Sequence, residues 1–148
     1  MPVALLVPAL QLLNPMAGVV TQDVRPGHPA IDIACTVGTP VHAAHDGIGR
    51  VERSYTHGIT FVLAGEDGLQ TSYSHLNSAQ AAGRYSRGDL IGTCGNTGIW
   101  TSGPHLHFES NRPELLSNLA SPTIPSKVPA AMPVAAIGGS PMAIKQRP

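Results

Sequence analysis

At 148 residues the chain is long enough to bury one proper core, and it reads as a single domain. Only 12% of it is charged and 4% aromatic, against 16 glycines and 14 prolines, which favours a turn-rich β protein over a helical bundle. Formal net charge is zero, and so few Lys and Arg leave no phosphate-neutralising stripe, which argues against nucleic acid as a partner. The charge is uneven: residues 1–120 carry all nine acids and six Arg, while Lys127, Lys145 and Arg147 lie in the remainder.

Met1 to Leu13 is apolar but has no basic leader, contains Pro2 and Pro8, and shows no small-x-small cleavage site. It is too short to span a bilayer. We read it as an extended lead-in that packs on the domain, with no export signal evident. Asn14 to Val24 should form a turn and a short strand, and Pro26-Gly27 breaks the chain before His28. Ile31-Asp-Ile-Ala34 is β-prone, Gly38-Thr-Pro40 turns into Val41-His-Ala-Ala44, and Asp46-Gly47 turns again. Ile48–Tyr55, Ile59–Ala64 and Leu69–Tyr73 then read as three strands joined by hairpins.

Ser78 to Ala82 is expected to be a helical turn at best. Leu90 to Thr93 reads as a strand ending in the Gly95-Asn-Thr-Gly98 turn. Ile99 to Pro104 is a loop carrying Trp100, and Leu115 to Leu119 suits a short helix. From Ser121 onward Pro recurs without period, so 121–148 reads as an extended or disordered tail after a domain spanning 14–120. Many short strands with turns between them imply an all-β, antiparallel sheet folded on itself, with little helix.

The chemistry concentrates in Gly103-Pro-His-Leu-His-Phe-Glu109. In a strand, successive side chains alternate faces, so His105, His107 and Glu109 share one side while Leu106 and Phe108 enter a core. Paired imidazoles on a polar strand face point to a metal or a catalytic base. His28 and Asp32, spaced H-x-x-x-D, offer an imidazole and a carboxylate that loop-then-strand geometry can bring to one ion. Catalytic zinc typically takes three such ligands. His75, in Tyr73-Ser-His-Leu76, is a further histidine at a strand end. Cys35 and Cys94 can pair, pack as small apolar groups, or bind metal.

Taken in order, H-x-x-x-D after Pro-Gly, Y-S-H-L and G-P-H-L-H-F-E closely resemble the lysostaphin/LytM-type zinc metalloendopeptidases that cut bacterial peptidoglycan. The resemblance runs from about Asn14 to Glu109, supported by Gly38-Thr-Pro-Val41, Arg87-Gly-Asp-Leu-Ile-Gly92 and Thr101-Ser-Gly-Pro104. It implies a barrel-sandwich of the duplicated hybrid motif type, and one zinc per chain held by His28, Asp32 and His107. It further implies His75 and His105 on the open side of the metal, a peptidoglycan stem or cross-bridge as substrate, and a monomer. No H-E-x-x-H helix supplies a Glu base, so histidine must handle the protons. Both cysteines fall where that family usually has small apolar residues, which favours burial or a disulfide over ligation.

Glu109 is a candidate to orient a ligand. Tyr73, Asn96 and Trp100 are substrate-groove candidates, with packing the stronger reading for Tyr73. His42 and His45 are expected to be local hydrogen-bonders and His57 solvent-facing. A lone catalytic domain without a leader suits a lysin released by lysis or carried on a virion, acting on the wall. The competing readings are a non-catalytic activator of wall enzymes with this fold, and a barrel-sandwich carrier domain, which leaves H-x-x-x-D unexplained.

Overall fold

Gly, Asp and Asn turns cut the chain into short β-branched and aromatic runs, and each run becomes a strand. The computed structural model describes residues 10–122. Its strands are β1 (Val20–Gln22), β2 (Ala30–Ala34), β3 (Pro40–His42), β4 (Gly47–Ser54), β5 (Gly58–Ala64), β6 (Gln70–Ala79), β7 (Gly83–Tyr85), β8 (Leu90–Cys94) and β9 (His105–Ser110). Every strand pairing is antiparallel, in the order β1-β2-β9-β6-β5-β4-β7. The β3–β8 pair joins through β8 to the far half of β6, which folds the sheet over itself. The protein is thus all-β and antiparallel, and its only helical pieces among the described residues are two 3-10 turns.

Two local expectations change. The strand expected over Leu69–Tyr73 runs on to Ala79, so no helical turn forms at Ser78. Ser78 and Ala79 pair with Thr93 and Gly92 of β8, and ladder hydrogen bonds decide a segment of weak intrinsic preference. The helix expected at Leu115–Leu119 is a 3-10 turn over Pro113–Ser117, started by a proline whose φ is already helical and anchored by buried Leu116. The tail after 122 and residues 1–9 of the lead-in lie outside the described residues. Of the lead-in that is described, Leu12 and Leu13 are buried, and Leu13 donates its N–H to Ala44 O at 2.9 Å.

Alternation sorts the side chains into two faces. Across β2 and β9, Ile31 opposes Phe108 and Ile33 opposes Leu106, and all four are at most 2% exposed. Tyr73 and Phe61 of the neighbouring strands join them, with Tyr73 5.1 Å ring-to-ring from Phe108. On the other face Asp32 stands directly opposite His107, and His107 opposite Ser74 of β6. The Tyr73 hydroxyl is satisfied inside the core by Thr71 Oγ1 and Ala44 N–H, both at 2.9 Å. Burial pushes that phenol up to about 12.

Against β5, β6 breaks the alternation once. Ile59 and Phe61 of β5 face Leu76 and Tyr73, so two residues of β5 span three of β6. Tyr73 and Leu76 both belong to the apolar core, which an unbroken strand could not arrange three residues apart. The extra residue is a β-bulge, and His75 takes it with φ +63, a left-handed conformation costly for a side chain with Cβ.

Cys35 and Cys94 form a disulfide that ties the end of β2 to the end of β8. Among the described residues no helix is long and apolar enough to cross a membrane.

Candidate metal centre

The ladder between β2 and β9 builds the centre. Because Asp32 and His107 are register partners, their side chains leave the sheet together, and Asp32 Oδ1 lies 3.0 Å from His107 Nδ1. His28 arrives from the Pro26-Gly27 turn just before β2, where an isolated bridge between Arg25 and His28 fixes the backbone. Its Nε2 lies 3.6 Å from Asp32 Oδ1. One ligand atom from each of His28, Asp32 and His107 falls within 4.8 Å of the others. Two imidazoles and a carboxylate at that spacing suit a divalent cation of the zinc type.

The outer atoms of both imidazoles are engaged. His28 Nδ1–H donates to Asp23 O at 3.1 Å, leaving Nε2 with its lone pair towards Asp32. His107 Nε2–H donates to Glu109 Oε1 at 3.2 Å, leaving Nδ1 towards Asp32. Such acceptors fix ring orientation and raise ligand basicity. Glu109, two residues on and on the same face of β9, is the acceptor for His107.

Electrostatics follow from the crowding. Burial opposes ionisation of Asp32, but the His107 hydrogen bond and the positive potential of His107, His105 and His28 hold its carboxyl below the usual range. Burial likewise works against a charge on His107, yet hydrogen bonds to Asp32 and Glu109 outweigh it and raise the imidazole to about 9. Glu109 is held low chiefly by its hydrogen bond to His107. Without metal, a proton on His107 takes the place of a cation between two carboxylates.

His75 and His105 close the other side, with rings 4.7 Å apart. His105 Nδ1–H donates to Gly103 O at 2.9 Å, and its Nε2 lies 3.9 Å from Asp32 Oδ2. His75 Nδ1–H donates to Thr97 O at 2.7 Å. Both rings therefore present a bare Nε2. His75 is only 1% exposed, and burial holds its pKa below the ordinary histidine value.

His57 departs from its expected place. Its ring stacks on His75 at 5.8 Å, sits 5.4 Å from His107, and meets Trp100 edge-on at 5.2 Å. The β4–β5 hairpin tip carries it there, pinned by hydrogen bonds from Ile99 N to Tyr55 O and from Trp100 N to Thr56 O. Only its place in a turn was visible locally, and no local pattern says that the tip folds over the site. Beside it a cavity of about 200 Å³ opens, lined among others by His57, Thr60, Ser74, Glu109 and Glu52. Trp100, which meets His57 edge-on, is 64% exposed, and Asn96 is exposed and accepts a hydrogen bond from Thr101 Oγ1. Tyr73 is no groove residue: it points into the core, as its packing reading held. His42 Nδ1–H donates to Gly88 O, 46 residues on, so its bond is not local; His45 Nδ1–H donates to the adjacent Asp46 O, and the buried ring also meets Thr71 Oγ1 at 2.8 Å.

With this geometry in hand, the chain can be set beside known proteins. The peptidoglycan DD-endopeptidase ShyA of Vibrio cholerae is 38% identical over 93 residues, covering 61% of this chain and 21% of ShyA. The structure of a zinc-containing peptidase from Vibrio cholerae superposes with a TM-score of 0.63 at 27% identity, over 70% of this chain and 38% of that one. Lysostaphin from Staphylococcus simulans superposes with a TM-score of 0.54 at 30% identity, over 65% and 42%. The chain spans about a fifth of the length of the curated relatives it matches. The family model described as peptidase family M23 matches residues 26–118, which hold every residue of the centre, and the chain belongs to that family.

Proposed function

We propose that this chain is a zinc-dependent endopeptidase that hydrolyses peptide bonds in bacterial cell-wall peptidoglycan. The observation that carries the reading is the donor set: His28, Asp32 and His107 converge within 4.8 Å, with both imidazoles oriented by outer acceptors. ShyA's name as a peptidoglycan DD-endopeptidase and the zinc of the Vibrio cholerae peptidase support substrate class and metal. A zinc ion held there supplies Lewis acidity and makes water nucleophilic near neutral pH.

The chain's own residues do the rest. A bare histidine Nε2 beside the ion accepts the proton of the attacking water, and the imidazolium returns it to the leaving amine. His105, 3.9 Å from Asp32, is the nearer of the two to the ligands, and His75 faces it across the gap with a second bare Nε2, which on taking up a proton becomes the N–H donor that steadies the developing oxyanion. Glu109 keeps His107 turned so that the ligand nitrogen stays in place. His57 and Trp100 bound the entrance, and the hydroxyls of Thr60 and Ser74 floor the adjoining cavity.

The test is digestion of purified walls of several bacterial types, with and without chelator, followed by mass spectrometry of the new termini. Chelator-sensitive appearance of peptide amines is the expected result. Protein purified without chelator that carries no stoichiometric metal and frees no termini would overturn the enzymatic reading and leave the non-catalytic one.

A further inference from the structure

His75 reaches the site only because β6 is bulged. In regular alternation Tyr73 faces the core, Ser74 the metal face, and residue 75 the core again. The extra residue puts Ser74 and His75 together opposite Thr60, and lets Leu76 return to the core across from Ile59. A left-handed histidine is strained, so its neighbours must hold it.

Four hydrogen bonds do so, and Thr97 makes three of them. His57 O accepts the His75 backbone N–H at 2.9 Å. Thr97 O accepts the ring Nδ1–H at 2.7 Å. The Thr97 hydroxyl accepts the Ile59 N–H at 3.1 Å and donates to Leu76 O at 2.7 Å. Ile59 and Leu76 are register partners, so the hydroxyl stands between the backbone groups of the two strands beside the bulge. The surroundings leave room for it: a Cβ on Gly58, itself at φ +67, would lie 2.3 Å from Thr97 Oγ1. Any side chain there would expel the clamp.

We infer that Thr97 is a positioning residue for His75: its hydroxyl closes the β5–β6 bulge that turns the histidine onto the metal face, and its carbonyl sets the ring so that Nε2 is bare. The inference rests on the proposed role of His75. The clamp acts on geometry alone and touches no metal ligand.

The experiment compares Thr97→Val, Thr97→Ala and Thr97→Ser in the full chain. Val keeps shape and removes the hydroxyl, Ala adds no bulk, and Ser restores the hydroxyl. Val and Ala are expected to lose about 10²-fold in kcat, the scale of a misplaced catalytic group, with KM and bound zinc unchanged. Ser is expected to recover most of it. In nitrogen-detected NMR, the Nδ1–H tautomer of His75 should be present in wild type and Ser, and mixed in Val and Ala. Val and Ala at wild-type kcat, or equal loss in Ser, would overturn the inference. Loss of zinc in step with activity would overturn it too, by showing a general structural role. His75→Ala separates the two readings: full turnover there sinks the role of His75 itself, while its loss beside an active Thr97→Val sinks only the clamp.

Discussion

The two sides of the centre are built by different means. On the ligand side, Asp32 and His107 are neighbours because an unbroken ladder makes them so, and every residue of β2 and β9 keeps its alternate face. On the opposite side only His105 comes from that ladder. His75 occupies a bulge, His57 hangs from a hairpin tip, and Thr97 and Gly103 give carbonyls from a loop. The regular side fixes distances between ligands, where a few tenths of an ångström matter for an ion. The irregular side aims polar atoms at one point from several elements, which alternation alone cannot do.

Breaking the ladder side should have the largest effect. Asp32→Ala or His107→Ala removes one of three ligands, so stoichiometric metal and wall digestion should both fall to background, as read by elemental analysis and termini release. Metal retained by either variant would mean the centre lies elsewhere. The side facing the ligands should fail differently. His105→Ala is expected to keep metal and melting temperature while losing about 10²–10⁴-fold in turnover, the usual worth of a proton-transfer group.

Glu109→Gln sharpens the contrast. The amide still meets His107 but carries no charge, so zinc affinity should drop about 10–100-fold, measured by competition with a buffered chelator. Proteins with unchanged affinity would show that Glu109 orients nothing.

The smallest effect is in the pH dependence of the metal-free chain, where two histidines act with opposite sign. His107 is raised to about 9 in the fold, above its unfolded value near 6.5. Its contribution to stability is full below pH 6.5 and is lost as pH rises through about 9. His45 is lowered by burial, which outweighs the hydrogen bond it donates to Asp46 O. Its contribution is full above pH 6.5 and is lost as pH falls through its folded value. Chemical melts should show the alkaline slope flattened in His107→Ala and the acid slope flattened in His45→Gln. Slopes identical to wild type would mean that the fold relaxes around both rings.

Much of the ladder side is legible in the sequence. The alternation of His105, Leu106, His107 and Phe108 placed imidazoles on one face and core residues on the other, because a strand's period is two whatever surrounds it. The H-x-x-x-D spacing and the Glu two residues after His107 were equally local. The bulge was not legible. Tyr73-Ser-His-Leu reads as ordinary strand, and only the pairing with β5 shows one residue too many. The place of His57 and the grip of Thr97 depend on a hairpin tip and a loop meeting 38 residues apart.

By itself, then, the sequence determined the residue types of the centre, the two-faced strands and the all-β class, since these follow from side-chain chemistry and a backbone period. It also supplied the two cysteines, but left open whether they pair. The tertiary structure decided the disulfide, the pairing of Asp32 with His107, and the turn of His75 onto the metal face. Those depend on register and on contacts between distant segments, which no local pattern encodes.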